Sequence, residues 1–167
     1  PPPASAGPHE SATATTWPGP PGAPPLHRDA HGRLFLGRQR LGLHEGEIAA
    51  VAWRPDGAHV AVGDGAQVRI WSARGRLLAT FTGHEGTVRL LAWSPEGQRL
   101  LSAGDDPSAR VHHIADPGPG QPLRGHTGPI SAIAWHPRGD DVATASRDGS
   151  VRLWTLIPGA IESLPHP

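Results

Sequence analysis

The sequence contains no cysteine, methionine, tyrosine, lysine or asparagine, and aromatic residues make up only 5% of it. The absence of cysteine excludes disulfide bridges and metal sites built on thiolates. All 15 basic residues are arginine. Arginine, alanine, glycine and proline are favoured by GC-rich codons, whereas lysine, asparagine and tyrosine are favoured by AT-rich codons. The composition therefore predicts a GC-rich source genome, and we expect a bacterial one.

Charge of one sign is not in excess, and long apolar runs are missing. The formal net charge is zero, so no global field attracts nucleic acid or an anionic membrane. No apolar run approaches the roughly 18 residues of a membrane span, and no signal-peptide pattern stands at the start. We therefore expect a cytoplasmic protein with neither nucleic acid nor a membrane as its partner. Because the chain begins at Pro1, we also expect a processed or excised piece of something longer.

Glycine and proline are abundant, with 22 and 20 copies among 167 residues. Such a content is typical of low-complexity segments and of turn-rich all-β folds. Residues 1–30 are dominated by proline, alanine, serine, threonine and glycine, and such a segment buries too little apolar surface to offset its ordering entropy. The composition predicts a flexible linker over residues 1–30.

The remaining sequence repeats itself three times, near residues 43–72, 83–114 and 125–155. A tryptophan recurs at Trp53, Trp93 and Trp135. A histidine nine residues before each one recurs at the same intervals, at His44, His84 and His126. The intervals of 40 and 42 residues are typical of arrays built from one supersecondary unit per repeat.

Each repeat predicts three short strands. A run such as VRLLAW leads into a turn, RPDG, SPEG or HPRG, in which proline fixes φ and glycine tolerates positive φ. A second strand follows, then a tight turn with Asp and Gly, then a third strand ending near a tryptophan or histidine. A fourth segment lies between copies, and HGRLFL at 31–36 resembles RGRLLA at 74–79. The pattern predicts one such strand ahead of every set of three.

The combined motifs, G-H twice, W-x-P-x-G three times and [VA]-R-[IVL]-[WH] three times, resemble the WD-repeat β-propeller family. The resemblance implies an all-β fold with three four-stranded antiparallel blades over residues 31–156, as an open arc or as part of a larger ring. Residues 157–167 are then a tail or a closing strand. The family's closing aspartate is missing after each third strand, where Ser72, His113 and Thr155 stand.

The resemblance also implies a hydrogen-bonded relay of His, Ser or Thr, Asp and Trp within each blade. Carried over by position, the third copy supplies all four members: His126, Ser146, Asp148 and Trp154. The second keeps His84 and Asp106, but has Gly104 in the serine place and His112 in the tryptophan place. The first keeps His44, Asp64 and Trp71, and lacks the serine. By this criterion we expect the third blade to be the best ordered and the second the weakest.

The same residues raise the alternative of a catalytic Ser-His-Asp set. A hydrolase triad needs an exposed nucleophile beside its base. The family role already explains Ser146, and no G-x-S-x-G elbow is present. His112 and His113 point to opposite faces of a strand and are poorly placed to share a metal. We therefore predict no catalytic residue, no metal site and no cofactor. The alternative function is a propeller hydrolase or lyase with a site in the central channel.

The resemblance implies partner binding on the narrower propeller face, at positions after the leading histidine, along the first strand and before the relay aspartate. These positions are Glu47, Ala49, Gly63, Thr87, Arg89, Asp105, Pro129, Ser131 and Arg147. Their mixed charge suits a protein or peptide better than a polyanion. The sequence thus predicts a non-enzymatic protein-binding scaffold, as the sensor or regulatory part of a larger bacterial signalling protein.

Three blades do not close a ring, because propellers typically have about 4–8 blades. An open arc leaves apolar sheet faces bare. The missing blades can come from a longer chain, from a second copy of this chain, or from another subunit. The strand near Leu34–Leu36 could complete a partner's third blade, or Ala160–Leu164 could supply its own last strand.

Overall fold

The computed structural model describes residues 15–42, 44, 46–157 and 160–163. Every assigned element in these residues is a β-strand, and all strand pairs are antiparallel. The strands form four sheets of four strands each, and each sheet is a simple meander. No helix with the length and apolar character of a membrane span occurs in this part of the chain.

Sheets 1 and 2 come first along the chain. Sheet 1 consists of β1 (Thr15–Trp17), β2 (Leu26–Arg28), β3 (Leu34–Leu36) and β4 (Gln39–Arg40). Sheet 2 consists of β5 (Ile48–Trp53), β6 (His59–Asp64), β7 (Gln67–Ser72) and β8 (Leu77–Phe81).

Sheets 3 and 4 repeat the same plan. Sheet 3 consists of β9 (Val88–Trp93), β10 (Arg99–Gly104), β11 (Ala109–His113) and β12 (Asp116–Leu123). Sheet 4 consists of β13 (Ile130–Trp135), β14 (Asp141–Ser146), β15 (Val151–Ile157) and β16 (Ala160–Ser163). The first strands β5, β9 and β13 lie next to one another.

The sheets stack in chain order, and the apolar core lies between them. One cluster of buried side chains joins sheets 1 and 2, a second joins sheets 2 and 3, and a third joins sheets 3 and 4. Sheets 2 and 3 each have a neighbour on both sides and therefore bury apolar residues on both faces. Among the described residues, no such cluster joins sheet 4 back to sheet 1.

The turns follow the W-x-P-x-G motifs. Gly57, Gly97 and Gly139 all have positive φ, at 70°, 72° and 83°. Each of their N–H groups donates to the carbonyl of the residue three positions earlier. Glycine is needed there because side-chain-bearing residues are strained at positive φ. The motif thus joins the first and second strand of sheets 2, 3 and 4.

The expectation of three blades is wrong by one sheet, because residues within the predicted linker fold. β1 and β2 lie inside residues 1–30, and HGRLFL contributes β3 of sheet 1 instead of a fourth strand for the first repeat. Leu26 and Leu34 are fully buried against sheet 2. The prolines of residues 18–25 lie in the connection between β1 and β2, where they remove no ladder hydrogen bond. Residues 1–14 of that predicted linker lie outside the described residues.

Each sheet's fourth strand comes directly after its first three. Leu77–Phe81 pairs with β7, and Ala160–Ser163 pairs with β15. Sheet 4 therefore takes its last strand from its own chain rather than from a second copy.

Candidate functional site

Sheet 4 contains an unbroken hydrogen-bonded relay, and its hydroxyl comes from Thr144. The Trp154 Nε1–H donates to Thr144 Oγ1 at 3.0 Å, and Thr144 Oγ1 lies 2.8 Å from His126 Nε2. His126 Nδ1 lies 3.0 Å from Asp148 Oδ2. With Nδ1 protonated, the Thr144 hydroxyl donates to Nε2 and accepts from the tryptophan. A buried indole N–H is thereby satisfied.

Ser146 is not the relay hydroxyl, so that assignment is wrong. Its Oγ donates to the Gly128 carbonyl at 2.8 Å and accepts the Asp148 N–H at 3.1 Å. Ser146 follows Thr144 by two residues, so both side chains lie on one face of β14. Ser146 nevertheless shapes the turn after the strand, while Thr144 reaches the histidine. Among the described residues, Ser146 Oγ makes no hydrogen bond to a histidine, and His126 Nε2 is taken by Thr144, so the Ser-His-Asp set lacks the contact that a triad needs.

Sheet 3 contains a second complete relay. Ser102 Oγ lies 2.7 Å from His84 Nε2 and 2.8 Å from His112 Nε2. His84 Nδ1 lies 2.9 Å from Asp106 Oδ2. His112 takes the place of the tryptophan and presents an N–H in the same direction. The expectation that the second repeat has the weakest relay is therefore wrong, because Ser102 supplies the missing hydroxyl.

Glycine occupies the assumed serine position of sheet 3 for a steric reason. A Cβ at Gly104 would lie 1.9 Å from the Thr87 carbonyl oxygen. The backbone of Thr87, directly before β9, therefore leaves no room there for any side chain.

Sheet 2 contains the same relay with a gap. Val62 stands at the hydroxyl position, and neither His44 Nε2 nor Trp71 Nε1 has a hydrogen-bond partner among the described residues. His44 Nδ1 does lie 3.3 Å from Asp64 Oδ2. Burial lowers the pKa of His44 further than the Asp64 carboxylate raises it. Sheet 2 is thus the one with the incomplete relay.

The aspartates of the complete relays have lowered pKa values. Burial alone would raise the pKa of Asp106, but the hydrogen bond and charge of His84, together with backbone hydrogen bonds such as that from the Glu85 N–H, outweigh burial and lower the pKa. The pKa of Asp148 is well below its usual range, chiefly because the Ser150 hydroxyl donates to it and then because the Thr127 N–H does. Both carboxylates are thereby held ionised as acceptors for the histidine Nδ1–H.

His112 is buried and has a strongly shifted pKa. Its side chain packs against Phe81, with ring centroids 4.6 Å apart. Burial lowers its pKa to about 3, and the charges of His84 and Arg110 add to the shift. His112 is consequently neutral near pH 7, which leaves Nε2–H as its single donor.

Four exposed residues of sheets 2, 3 and 4 and their turns form a charged row: Glu47, Arg89, Asp105 and Arg147. Arg89 Nε donates to Asp105 Oδ1 at 2.7 Å, and Arg89 Nη1 lies 3.9 Å from Glu47 Oε1. The hydrogen bond from Arg89 lowers the pKa of Asp105, and the charge of Arg147 lowers it further. The signs alternate along this charged row, so it presents no uniform field.

The remaining predicted partner-binding positions surround this charged row, with one exception. Ala49 and Ser131 lie on the first strands at the positions corresponding to Arg89, and Ser131 Oγ donates to the Ala145 carbonyl at 3.3 Å. Thr87 and Pro129 offer their carbonyls to the N–H groups of Asp105 and Arg147, at 3.1 and 2.9 Å.

Gly63 is the exception, because it is buried. A Cβ there would lie 2.9 Å from the Val88 carbonyl oxygen. The corresponding turn position is Gly65, whose N–H donates to the Glu47 carbonyl at 2.9 Å. The first repeat is one residue shorter, so Asp64 pairs directly with Ile48 and the turn follows it.

One group of side chains has the spacing of a metal site. His136, Asp140 and Asp141 offer ligand atoms within 4.8 Å of one another at the β13–β14 turn. His136 Nδ1 lies 3.4 Å from Asp140 Oδ1, but both side chains are about half exposed. Exposed acidic groups of this kind are common without an ion, and the prediction of no metal site stays a prediction.

The comparison with family models agrees with these repeats. The model described as WD domain, G-beta repeat matches residues 38–72, 75–113 and 118–155. A search of the curated proteins finds no match to the chain. WD40 repeats generally mediate protein–protein interactions and scaffolding, and proteins built from them are typically non-enzymatic. Since the three matched segments cover about two thirds of the sequence and form sheets with one common relay, the chain belongs to the WD40 family.

Proposed function

We propose that the chain is a cytoplasmic, non-enzymatic scaffold that binds a protein or peptide through the charged row of Glu47, Arg89, Asp105 and Arg147. The observation that carries the proposal is the exposure of this row. The side chains of Glu47, Arg89 and Asp105 are 61%, 48% and 44% exposed. They lie beside the relays without taking part in them.

Alternating charge favours a polypeptide partner over a polyanion. Nucleic acids and anionic membranes bind surfaces on which cations are concentrated. Here Arg89 is already paired with Asp105, and Glu47 lies at the other side of its guanidinium. A partner with its own alternating charges can exchange these pairs for intermolecular ones, which contributes to specificity and association rate.

We further propose that the chain has a regulatory role within a larger bacterial signalling protein. The arginine-only basic residues and the GC-rich composition support a bacterial source. The coding sequence on either side is the direct check. A kinase, ATPase or protease module in frame would support the role, and its absence would contradict it.

Charge reversal tests the charged row. Arg89→Glu combined with Arg147→Glu should abolish capture of the native partner from extracts of the source cells. The purified partner should then bind the unmodified chain, with an affinity that falls as salt rises, because exposed charges are screened. Arg74→Glu is the matched control, since Arg74 is an exposed arginine in the β7–β8 turn away from the row.

Two results would count against this surface. One is equal recovery of the same partner by the double variant and by Arg74→Glu. The other is a partner affinity that does not respond to salt. Circular dichroism of each variant keeps a loss of folding apart from a loss of binding.

A further inference from the structure

Two contacts between sheets hold a tryptophan in the same way. Trp93, at the end of β9, donates its Nε1–H to the Ala52 carbonyl of sheet 2 at 3.0 Å. Trp135, at the end of β13, donates to the Ala92 carbonyl of sheet 3 at 2.9 Å. In both cases the first-strand tryptophan of one sheet binds the carbonyl of the sheet before it.

The receiving surfaces are built from matching cross-strand triplets. On sheet 2 the triplet is Ala52, Ala61 and Ile70, and on sheet 3 it is Ala92, Leu101 and Val111. Ala61 and Ile70 share one core cluster with Trp93, and Leu101 and Val111 share another with Trp135. Ile70 and Leu101 are 0% exposed and Val111 is 2% exposed.

Sheet 4 has the same triplet without a tryptophan on it. Ala134 pairs with Ala143, which pairs with Leu153, yet Leu153 is 39% exposed. These three residues line an open cavity of about 290 Å³ together with Trp135, Pro137 and Val142. Among the described residues, no side chain fills this cavity.

We propose that this cavity is a socket for the first-strand tryptophan of a further WD blade, whose indole N–H donates to the Ala134 carbonyl. The inference continues an interface that occurs twice within the same molecule, at the same register positions. Its occupant is a β-blade of a polypeptide beyond the described residues, with tryptophan at the end of its first strand.

A second copy of this chain does not offer such a side chain. The face of sheet 1 that points away from sheet 2 carries the paired residues Thr16, His27, Phe35 and Arg40. Phe35 stacks on His27, with ring centroids 5.3 Å apart. Trp17 instead packs against the core between sheets 1 and 2.

The rim of the socket adds a charge requirement. On sheet 3, the Arg99 guanidinium lies 5.1 Å from the Trp135 ring centroid and donates to the Gly139 carbonyl. The corresponding register position on sheet 4 is Asp141, which lies close to Asp140. An acidic rim favours an incoming W-x-P-x-G turn that carries an arginine or lysine.

The test uses the full chain and a synthetic hairpin that copies residues 130–146. This hairpin contains the first-strand tryptophan and the basic turn with Arg138. A labelled hairpin should bind the chain saturably in fluorescence anisotropy. Replacing Trp135→Ala in the hairpin alone should weaken binding by at least about tenfold, because a buried aromatic anchor is lost. Arg138→Glu in the hairpin should weaken binding as well.

Two chain variants form a matched pair. Ala143→Phe fills the socket and should weaken hairpin binding by about tenfold or more. Thr80→Phe adds the same bulk at an exposed position of β8, on sheet 2 and outside the cavity, and should leave binding within about twofold. The hairpin's own Trp135→Ala variant keeps the test valid even if Ala143→Phe fails to fold.

The proposal is overturned if the hairpin does not bind at millimolar concentration, or if its Trp135→Ala variant binds equally well. Equal effects of Ala143→Phe and Thr80→Phe would overturn it too. Sedimentation of the chain alone tests a second copy as the occupant. Self-association that Ala143→Phe abolishes would assign the socket to a second copy and overturn the proposal. None of these outcomes depends on the charged row, so the proposed function stands or fails separately.

Discussion

Sheets 2 and 4 share three relay positions and differ at the fourth. Both place a histidine next to an aspartate, and both bury a tryptophan of the third strand. Sheet 4 has Thr144 between the two rings, whereas sheet 2 has Val62. The fold forms in both cases, so the apolar contacts between sheets are sufficient to build a blade. The hydroxyl decides whether two buried polar atoms are satisfied.

Sheet 3 extends the comparison, because it keeps the hydroxyl and changes the ring. His112 replaces the tryptophan and still meets Ser102 Oγ at 2.8 Å. However, its Nδ1 has no hydrogen-bond partner among the described residues. The relay therefore forms with either a tryptophan or a histidine as the ring that donates to the hydroxyl, but a histidine brings a titratable atom into the core.

The largest expected effect comes from converting sheet 4 into sheet 2. Thr144→Val leaves Trp154 Nε1–H and His126 Nε2 buried without partners, and should lower the free energy of unfolding by about 3 kcal/mol. Urea denaturation followed by tryptophan fluorescence measures this loss. Thr80→Val, at an exposed position of β8, is the control and should change stability by less than about 0.5 kcal/mol. A loss no larger than the control would show that the relay contributes nothing.

The next effect is a pH dependence carried by sheet 3. The unfolded chain binds a proton at His112 near pH 6.5, whereas burial lowers the folded pKa to about 3. Stability should therefore fall as pH drops below 6.5, by up to about 1.4 kcal/mol per pH unit and about 2 kcal/mol by pH 5.

The pH effect is measured as the difference between the unmodified chain and His112→Gln, which keeps a donor and removes the titration. His113→Gln, at the exposed neighbouring position, should retain the full slope. A slope that is as steep in His112→Gln as in the unmodified chain would contradict the assignment.

The reciprocal change should repair sheet 2. Val62→Thr adds a hydroxyl within reach of His44 and Trp71 and should raise the free energy of unfolding by about 1 kcal/mol. Val51→Thr is the matched control, because Val51 pairs with Val62 on the same face without lying between the two rings. If Val62→Thr destabilises the chain as much as Val51→Thr, a missing hydroxyl at position 62 is not what leaves His44 and Trp71 without partners.

The smallest effect separates Ser146 from Thr144. Ser146→Ala removes a donor to the Gly128 carbonyl and an acceptor for the Asp148 N–H, both at a turn. Denaturation should register a loss of about 1 kcal/mol, smaller than that of Thr144→Val. A larger loss of stability for Ser146→Ala than for Thr144→Val would instead indicate that Ser146 supplies the relay hydroxyl.

Much of the fold could be predicted from the sequence, because its signals are local. The W-x-P-x-G turns and the tryptophan spacing mark the first two strands of sheets 2, 3 and 4 without knowledge of tertiary contacts. The relay hydroxyl was assigned wrongly because the resemblance places a serine two residues before the aspartate, and Ser146 stands there before Asp148. The recurrence of Ser102 and Thr144 at an interval of 42 residues, equal to that of His84 and His126, was the signal that could have found it.

Sheet 1 could not be read from composition in the same way. Its strands have only two or three residues, too few for a period to stand out among prolines and glycines. What holds them is contact with sheet 2, where Leu26, Leu34 and Leu36 are buried beside Trp71. Tertiary packing overrides local propensity here, and a single sequence does not display that packing.

The boundaries of the repeats and of the sheets are out of phase, and this has a consequence for synthesis. The matched segment 75–113 begins with β8, which belongs to sheet 2, and the segment 118–155 begins within β12, which belongs to sheet 3. A growing chain therefore completes sheet 2 only once Phe81 has left the ribosome, after the second repeat has begun. Each newly made repeat finishes its predecessor before it starts its own sheet, so folding is coupled from one repeat to the next by the order of translation.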